Sequence, residues 1–305
     1  MQQKIRIQVL GFFTITVDDV RVENLVARSR RGVSLLVRLI LQQGRPVSTQ
    51  QLIGELWGSD RPGNHESALK TRVCRLRDLL ESVAPGLEEC VQAEHKAYRY
   101  QPLENVTVDV LEMFSLVQRL QGELPPEERL DCCRQVMALY QGEPYLPVGT
   151  VSDVMHASYL RGCYLKTAHA FAKLLRERGD EEELVAVCRQ VMALYQGEPY
   201  WPVGTVSDVM HASYLRGCYL KTAHAFAKQL RERGDEEELV AVCRQTLCQD
   251  PLDESMRAEL MRALIRKGRP DEARQEYNQA LRLIRQLLDS EPGEELQACY
   301  AQLTR

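Results

Sequence analysis

The stretch SALKTRVCRLRDLL, residues 67–80, does most to decide the fold of this chain. Its apolar residues recur with steps of three and four: Leu69, Val73, Leu76 and Leu80. This spacing predicts a helix with one continuous apolar stripe that faces a core. The positions between the apolar residues are mostly basic or hydroxylated, so the opposite face of the helix is expected to be polar and cationic.

That opposite face carries candidate contacts to DNA. At about 100° per residue, Thr71 and Arg75 point away from the apolar stripe. Three basic residues lie on the flanks: Lys70, Arg72 and Arg77. A helix in the major groove needs an apolar back, a central face for base edges and basic flanks for phosphates. Taken alone, the pattern also fits an ordinary helix with a solvated basic face.

The segments before this helix predict short strands and then a first helix. Alternating apolar residues within 4–22 indicate three strands, with a turn at Asp18-Asp19. The segment SRRGVSLLVRLILQQG, residues 29–44, predicts a helix whose leucines and isoleucine share one face and which Gly44 closes. Three arginines near its start contact phosphate or simply solvate the helix end: Arg28, Arg30 and Arg31.

A second helix and a loop connect this part to the helix at 67–80. Ser48 and Gln51 form the pattern of a capping box, which predicts a helix start at Ser48. The loop GSDRPGN, residues 58–64, follows, and Asn64 is a good N-cap for the next helix. The order of strands and helices up to this point is typical of a helix-turn-helix domain.

A hairpin after the third helix would complete a winged helix-turn-helix. The segments ECVQAE and AYRYQP read as strands on either side of a turn at His95-Lys96. Lys96 and Arg99 are candidate contacts to the backbone of an adjacent groove, and the alternative is a solvated turn. These elements predict a winged-helix DNA-binding domain over residues 1–103.

From Val106 onward the pattern is helical almost throughout, and it contains a repeat. Residues 133–190 recur at 188–245, and only Leu146 and Leu174 change, to Trp201 and Gln229. Each copy predicts a loop, a long helix and a short helix, and in the first copy the short helix runs directly into VMALYQG. Repeats of this kind suggest a helical array in which each unit contacts mainly its neighbours.

The end of the chain predicts one more pair of helices. Gly268 fits the position after the first helix of that pair, and Pro270 fits the first turn of the second. Residues 104–305 therefore read as an all-α, tetratricopeptide-like array. The predicted fold class is mainly α, with an N-terminal α+β winged helix.

Composition and motifs narrow the function. The chain has 305 residues and a net charge of −4, yet basic residues are in excess in the first 103 and acidic residues in the remainder. This asymmetry is compatible with nucleic-acid binding. No apolar run is long enough to span a membrane and the start does not resemble a signal peptide, so a cytoplasmic location is expected.

Motifs for other chemistry are missing from the sequence. None of the ten cysteines forms a CxxC pair, so no metal site is predicted and the cysteines are interpreted as buried free thiols. The motifs of nucleotide-binding loops, serine hydrolases and zinc peptidases do not occur. We therefore expect neither an enzyme nor a bound cofactor. The repeated histidines are interpreted as structural or surface residues, and the repeated tyrosines as packing residues or as part of a peptide groove.

The sequence also resembles a known family. LIGELWG, SALKTRVCRLRDLL and AYRY are similar to the DNA-binding domain of OmpR-type winged-helix regulators, with VCRLRDLL the most specific segment. LYQGEPYL, RERGDEEELVAVCRQ, DPLDE, LMRALIRKGRPDEARQEY and EPGEELQACYAQL resemble the bacterial transcriptional activator domain. Together they look like the Streptomyces antibiotic regulatory proteins, over nearly the whole chain.

The resemblance implies a transcriptional activator that binds double-stranded DNA and contacts RNA polymerase. By position in the motif, Thr71, Arg72, Arg75 and Arg77 would be contacts of the recognition helix. A homodimer on DNA is a further expectation, and no membrane partner is expected. Ala97 departs from the family, which often has glycine there, so a less sharp or differently set wing turn is one expectation. A different class of function, a helical scaffold whose winged helix contacts proteins, remains the alternative.

Overall fold

The computed structural model describes most of the chain. The described residues are 3–57, 64–146, 150–195, 197 and 206–303, with side chains described from Ala212 onward in the last range. Most of the predicted loop at 58–64, and Trp201 in the repeat, lie outside them. The chain divides into two compact units. The first comprises Met1–Thr167 with Pro199–Thr205, and the second Ala168–Glu198 with Val206–Arg305.

The first unit contains two small sheets and several helices. In chain order its elements are β1 (Ile5–Gln8), β2 (Thr14–Val17), β3 (Val20–Arg21), α1 (Leu25–Leu41), β4 (Val47–Ser48), α2 (Thr49–Trp57), α3 (His65–Glu81), a 3-10 turn (Leu87–Cys90), β5 (Val91–Glu94), β6 (Ala97–Tyr100), β7 (Val106–Val108), α4 (Asp109–Leu120), α5 (Pro126–Leu139) and the first part of α6 (Val151–Arg178). This order confirms the predicted winged helix.

The first sheet extends past the boundary at residue 103 that the sequence suggested. Its strand order is β3-β2-β1-β7, and β7 runs parallel to β1. The sequence pattern placed residues 106–108 in a helix, whereas these β-branched residues form a strand, which suits their side chains. The helix begins at Asp109, whose buried carboxylate accepts the backbone N–H groups of Val9 and Leu10 at 2.9 Å.

From Gly32 onward, helix α1 is buried on every side rather than on the single predicted face. It begins at Leu25, before the predicted start, and is kinked at Ser29. All of its residues from Gly32 to Leu41 are buried. They include Arg38, whose guanidinium donates to Glu55 at 3.1 Å and to Asp153 at 2.5 Å. These two carboxylates make the burial of a charged residue possible.

Helices α2 and α3 begin close to the predicted positions. Ser48 Oγ accepts the backbone N–H of Gln51 at 3.1 Å, but the Gln51 side chain donates to Glu55, so only half of the predicted capping box forms. Asn64 Oδ1 accepts the backbone N–H of Ser67 at 3.1 Å, which confirms the predicted N-cap of α3. The predicted apolar stripe of α3 is fully buried.

The wing is a tight hairpin. Strands β5 and β6 are antiparallel, and Glu94 pairs with Ala97 across a two-residue turn. His95 and Lys96 both have positive φ, at 37° and 63°, as a type I′ turn requires. Alanine at position 97 therefore does not loosen the turn, because the left-handed residues precede it. Strand β4 pairs with β6 and joins the wing to the start of α2.

The second unit is a helical array. Its elements are the end of α6, α7 (Glu181–Leu194), α8 (Val206–Arg233), α9 (Glu236–Gln249), α10 (Glu254–Arg266), α11 (Pro270–Leu288) and α12 (Glu294–Gln302). Helix α7 continues without a break through the junction of the copies, as predicted. Gly268 has a φ of 69° at the end of α10, and α11 starts at Pro270, which confirms both predicted positions.

Identical residues in the two copies pack in the same way. Tyr140 stacks on Tyr164 with ring centres 4.3 Å apart, and the counterparts Tyr195 and Tyr219 stack at 3.8 Å. All four rings are buried, which supports the interpretation of these tyrosines as packing residues. The cysteines are buried free thiols except for Cys74 and Cys248, which are exposed. Within the described residues, no helix has the length and apolar character needed to cross a membrane.

Candidate nucleic-acid interface

The candidate recognition surface is the exposed face of α3. Lys70, Thr71 and Arg75 are exposed on it, while the leucines and valine on the opposite face are buried. Thr71 Oγ1 donates to the carbonyl oxygen of Ser67 at 3.0 Å, which fixes the hydroxyl and leaves its lone pairs toward solvent. The face therefore offers one fixed hydroxyl and two exposed cations.

Arg72 is held against the second helix. The centre of its guanidinium lies 4.1 Å from the centre of the Trp57 ring, a cation–π contact. Burial lowers the pKa of the Arg72 guanidinium, and the nearby charge of Arg31 lowers that pKa further. Trp57 is the last residue of α2. Its role as a platform depends on how α2 packs on α3, which spacing within one helix does not reveal.

A basic concavity of about 670 Å³ lies between α3 and the kinked start of α1. Its lining comprises Ser29, Arg30, Arg31, Gly32, Trp57, Asn64, Ser67, Ala68, Thr71, Arg72 and Arg75. None of these lining residues is acidic. Arg30 and Arg31 thus lie beside the recognition face, whereas Arg28 turns away and donates to Ser82 Oγ at 2.9 Å. The kink at Ser29 is what aims the two neighbouring arginines at α3.

Arg77 lies on the side of α3 that faces the wing. Its Nε and Nη2 both donate to the carbonyl oxygen of Val91, at 3.0 and 2.7 Å. Val91 is the first residue of β5, so this pair of hydrogen bonds fastens the base of the wing to α3. The structure therefore separates Arg77 from Thr71, Arg72 and Arg75, which share one surface.

The two candidate residues on the wing have different surroundings. Lys96 is exposed at the tip, and its carbonyl oxygen accepts both the backbone N–H and the hydroxyl of Thr49, at 2.8 and 2.7 Å. Arg99 is half-buried along the hairpin, where it donates to Gln92 Oε1 at 3.0 Å and lies 3.5 Å from Glu94. The Lys96 ammonium is the one of these two cations that projects from the wing.

Two family models match this chain. Residues 23–97 match the family "Transcriptional regulatory protein, C terminal", and residues 163–304 match the "Bacterial transcriptional activator domain". The first match contains α1 to α3 and the wing turn, and the second contains most of the helical array. The chain thus has the domain architecture of the Streptomyces antibiotic regulatory proteins, with an OmpR-type winged helix followed by an activator domain.

Individual proteins are similar to this chain over most of its length. The chain is 26% identical over 276 residues to the transcriptional regulator RedD of Streptomyces coelicolor, covering 90% of this chain and 64% of RedD. Among solved structures it is similar to Mycobacterium tuberculosis EmbR in complex with a low-affinity phosphopeptide, at 16% identity and a TM-score of 0.45. That similarity covers 100% of this chain and 66% of EmbR, so the chain spans just under two thirds of the length of these relatives.

Proposed function

We propose that this chain, which has the architecture of a Streptomyces antibiotic regulatory protein, is a sequence-specific DNA-binding transcriptional activator. The observation that carries the proposal is the exposed basic face of α3, which has a fully buried apolar back and an arginine-lined concavity beside it. Double-stranded DNA is the partner, and the protein acts in the cytoplasm, where DNA and RNA polymerase are both present. The proposal includes no catalytic step and no cofactor.

In the proposed complex, α3 lies in the major groove. Thr71 and Arg75 contact base edges, and arginine suits guanine because its fork meets O6 and N7 together. Lys70 and Arg72 contact phosphates on either side, and the Trp57 ring orients the Arg72 guanidinium. Positioning of these side chains before binding reduces the entropy that DNA binding would otherwise cost.

The wing supplies contacts to the DNA backbone. Lys96 reaches a phosphate next to the groove that α3 occupies, and Arg99 contributes positive charge along the hairpin. Arg77 serves as a positioning residue, because its two hydrogen bonds to Val91 fix the wing relative to α3. Phosphate contacts of this kind set the register of the protein on DNA, while the base contacts give specificity.

The proposed roles of the two domains follow the domain boundaries predicted from the sequence. Residues 1–103 contain every proposed DNA contact, and residues 104–305 are proposed to mediate assembly and contact with RNA polymerase. A homodimer on DNA is part of the proposal. Because β7 pairs with β1, a DNA-binding fragment for experiments should extend past Val108 to keep the first sheet complete.

The test begins with selection of preferred duplexes from a random pool by the purified full chain. Affinity for the selected site is then measured against salt concentration, since neutralised phosphates release counterions and make binding salt-dependent. Arg75→Ala should weaken binding to the selected site by about 1–3 kcal/mol. A scaffold whose winged helix contacts proteins predicts no preferred duplex and no steep salt dependence, and that result would refute the proposal.

A further inference from the structure

A second basic cavity lies in the helical array, between the end of α6 and the middle of α8. Its volume is about 430 Å³, and protein pockets for small molecules span roughly 300–1,000 Å³. Ala172, Thr222 and Ala225 leave the space open, and titratable side chains surround it: His169, Lys173, Arg176, Lys221, His224 and Lys228. The lining includes no acidic residue.

Two cations of this cavity have only weak partners. Lys173 lies 3.8 Å from Glu177, and Lys228 lies 3.7 Å from Glu232. Both are exposed pairs within one helix, and solvent screens the attraction within such pairs. They leave each lysine free to turn toward a ligand.

Two other cations of this cavity, Arg176 and Lys221, form no ion pair with any residue in the described part of the chain. The positive charge acts on the neighbouring His169, whose pKa is lowered first by burial and then by Lys221, Arg176 and Lys173. The cavity therefore carries positive charge that the flanking glutamates neutralise only in part.

The duplication provides an internal reference for this site. At the next interface, between α8 and α10, His224 Nε2 lies 2.7 Å from Asp253 Oδ2. Arg231 donates to Glu259 at 2.8 Å at the same interface. Each of these two basic residues of the second copy thus contacts a carboxylate of α10 or of its N-cap residue.

Among the described residues, no carboxylate meets the counterparts in the first copy. His169 and Arg176 stand at the positions of His224 and Arg231, with the same neighbours in sequence. The helix that faces them across the cavity is α8, which brings the cation Lys221 to the cavity instead of an acidic residue. The first interface therefore has an open space where the second has carboxylate oxygens.

We infer that an external anion occupies this space: a small molecule carrying phosphate groups, bound between the two copies. One phosphoryl group brings about −1.5 to −2 charges and three acceptor oxygens, which match several converging cations better than a single carboxylate does. Arg176 binds it through a planar fork of donors, and Lys221 from α8 completes the contact as a point charge. The site requires both copies, because each copy provides one wall.

The experiment uses the full chain and inorganic tripolyphosphate as the probe, with binding measured by titration calorimetry. One site per chain is expected. Arg176→Gln and Lys221→Gln should each weaken binding about tenfold or more, the effect of losing one charged contact. The duplication offers matched controls, Arg231→Gln and Lys166→Gln, which change the same residues of the other copy. Both controls should bind within about twofold of the parent.

Further titrations identify the ligand class. Citrate and a glutamate-rich peptide should bind more weakly than tripolyphosphate. Tighter binding of either would overturn the assignment to phosphate, as would the absence of saturable binding or equal weakening by the control variants. All four substituted residues are exposed, and circular dichroism melts establish that each variant is folded. If one cavity variant does not fold, the other tests the same site from the opposite wall.

Discussion

Cations line two cavities of this chain, one beside α3 and one between α6 and α8. The contacts made by these cations differ between the two cavities. Beside α3, Arg72 is stacked on Trp57 and Arg75 is exposed next to a fixed threonine hydroxyl. Between α6 and α8, lysines and histidines surround a smaller space, and flanking glutamates partly neutralise the lysines. The first arrangement suits flat base edges and a line of phosphates, and the second suits a compact anion.

Positive charge by itself does not determine which ligand a surface binds. The cations of the concavity at α3 and Lys96 at the wing tip belong to one winged-helix domain, so together they can contact a duplex at more than one point. The cavity in the helical array is lined by the same segment of the repeat on α6 and on α8, so cations stand on both of its walls. The helices and strands around the cations determine whether a surface suits DNA or a compact anion.

The largest effect that separates the two surfaces is expected from deletion of Val136–Gln190. The deletion joins Gln135 to Val191, restores one copy with every local sequence intact and removes the α6 wall of the second cavity. Tripolyphosphate binding should fall by at least about 100-fold, since several charged contacts are lost together. DNA affinity and cooperative folding should remain, because array units contact mainly their neighbours.

The measurements for this deletion are a calorimetric titration, a DNA titration and a circular dichroism melt, each beside the parent. An aggregated or molten product would show that the second copy is integral to the core. Retained tripolyphosphate binding would show that the cavity does not need both copies.

A second prediction compares a buried cation with the exposed cations of the two cavities. Cations in both cavities are at least partly exposed, whereas Arg38 is buried between Glu55 and Asp153. Arg38→Met should lower the free energy of unfolding by about 3–5 kcal/mol, since it leaves carboxylates buried without their partner. The exposed control Arg176→Gln should change it by no more than about 0.5 kcal/mol. Urea titrations measure both, and similar values for the two variants would contradict this account of Arg38.

A third prediction separates positioning from contact on the DNA-binding surface. Arg77→Lys keeps the charge but loses the double hydrogen bond to Val91, so the wing is held less firmly. Binding to the selected duplex should weaken by about 1 kcal/mol. The salt dependence should stay the same, because the number of positive charges is unchanged. A lower salt slope would indicate that Arg77 contacts phosphate directly.

The smallest predicted effect compares the two equivalent histidines. The hydrogen bond to Asp253 raises the pKa of His224, so its stabilising effect is present below about pH 6.5 and is lost as pH rises through the folded pKa. Relative to His224→Gln, the parent should gain about 1–3 °C in Tm at pH 6 and lose that gain at pH 8, the scale of a partly exposed ion pair.

The control for this effect is His169→Gln. Burial and three cations lower the pKa of His169, so its protonation opposes folding. Relative to this variant, the parent should lose stability as pH falls below about 6.5, opposite in sign to the effect at His224. Melting curves at pH 6 and pH 8 give the sign of the effect at each histidine. The same sign for both histidines would contradict the different environments assigned to the two copies.

Local sequence patterns predicted much of the fold. The apolar stripe of α3, its cap at Asn64, the hairpin turn at His95-Lys96 and the helix start at Pro270 depend on residues close together in the chain, and the structure confirms them. The winged helix and the helical array followed from the order of such elements. The outward face of α3 was predicted for the same reason, since helical periodicity alone separates Thr71 and Arg75 from the core.

Features that depend on distant residues could not be predicted in this way. Strand β7 is three residues long and owes its conformation to pairing with β1, a contact between segments far apart in the chain. The placement of Arg77 against Val91 depends on where the wing packs. The second cavity is the clearest case, because His169 and His224 have identical neighbours in sequence and differ only in the helix that faces them.

The most direct test removes equal charge from the two basic surfaces and measures DNA affinity. One variant combines Arg72→Ala with Arg75→Ala, and the other combines Arg176→Gln with Lys221→Gln, so each loses two positive charges. Titration of the selected duplex should show a loss of at least about 1–3 kcal/mol and a lower salt slope for the first variant only. The second should bind like the parent. Equal weakening by both variants would mean that net charge, and not the face of α3, determines DNA binding.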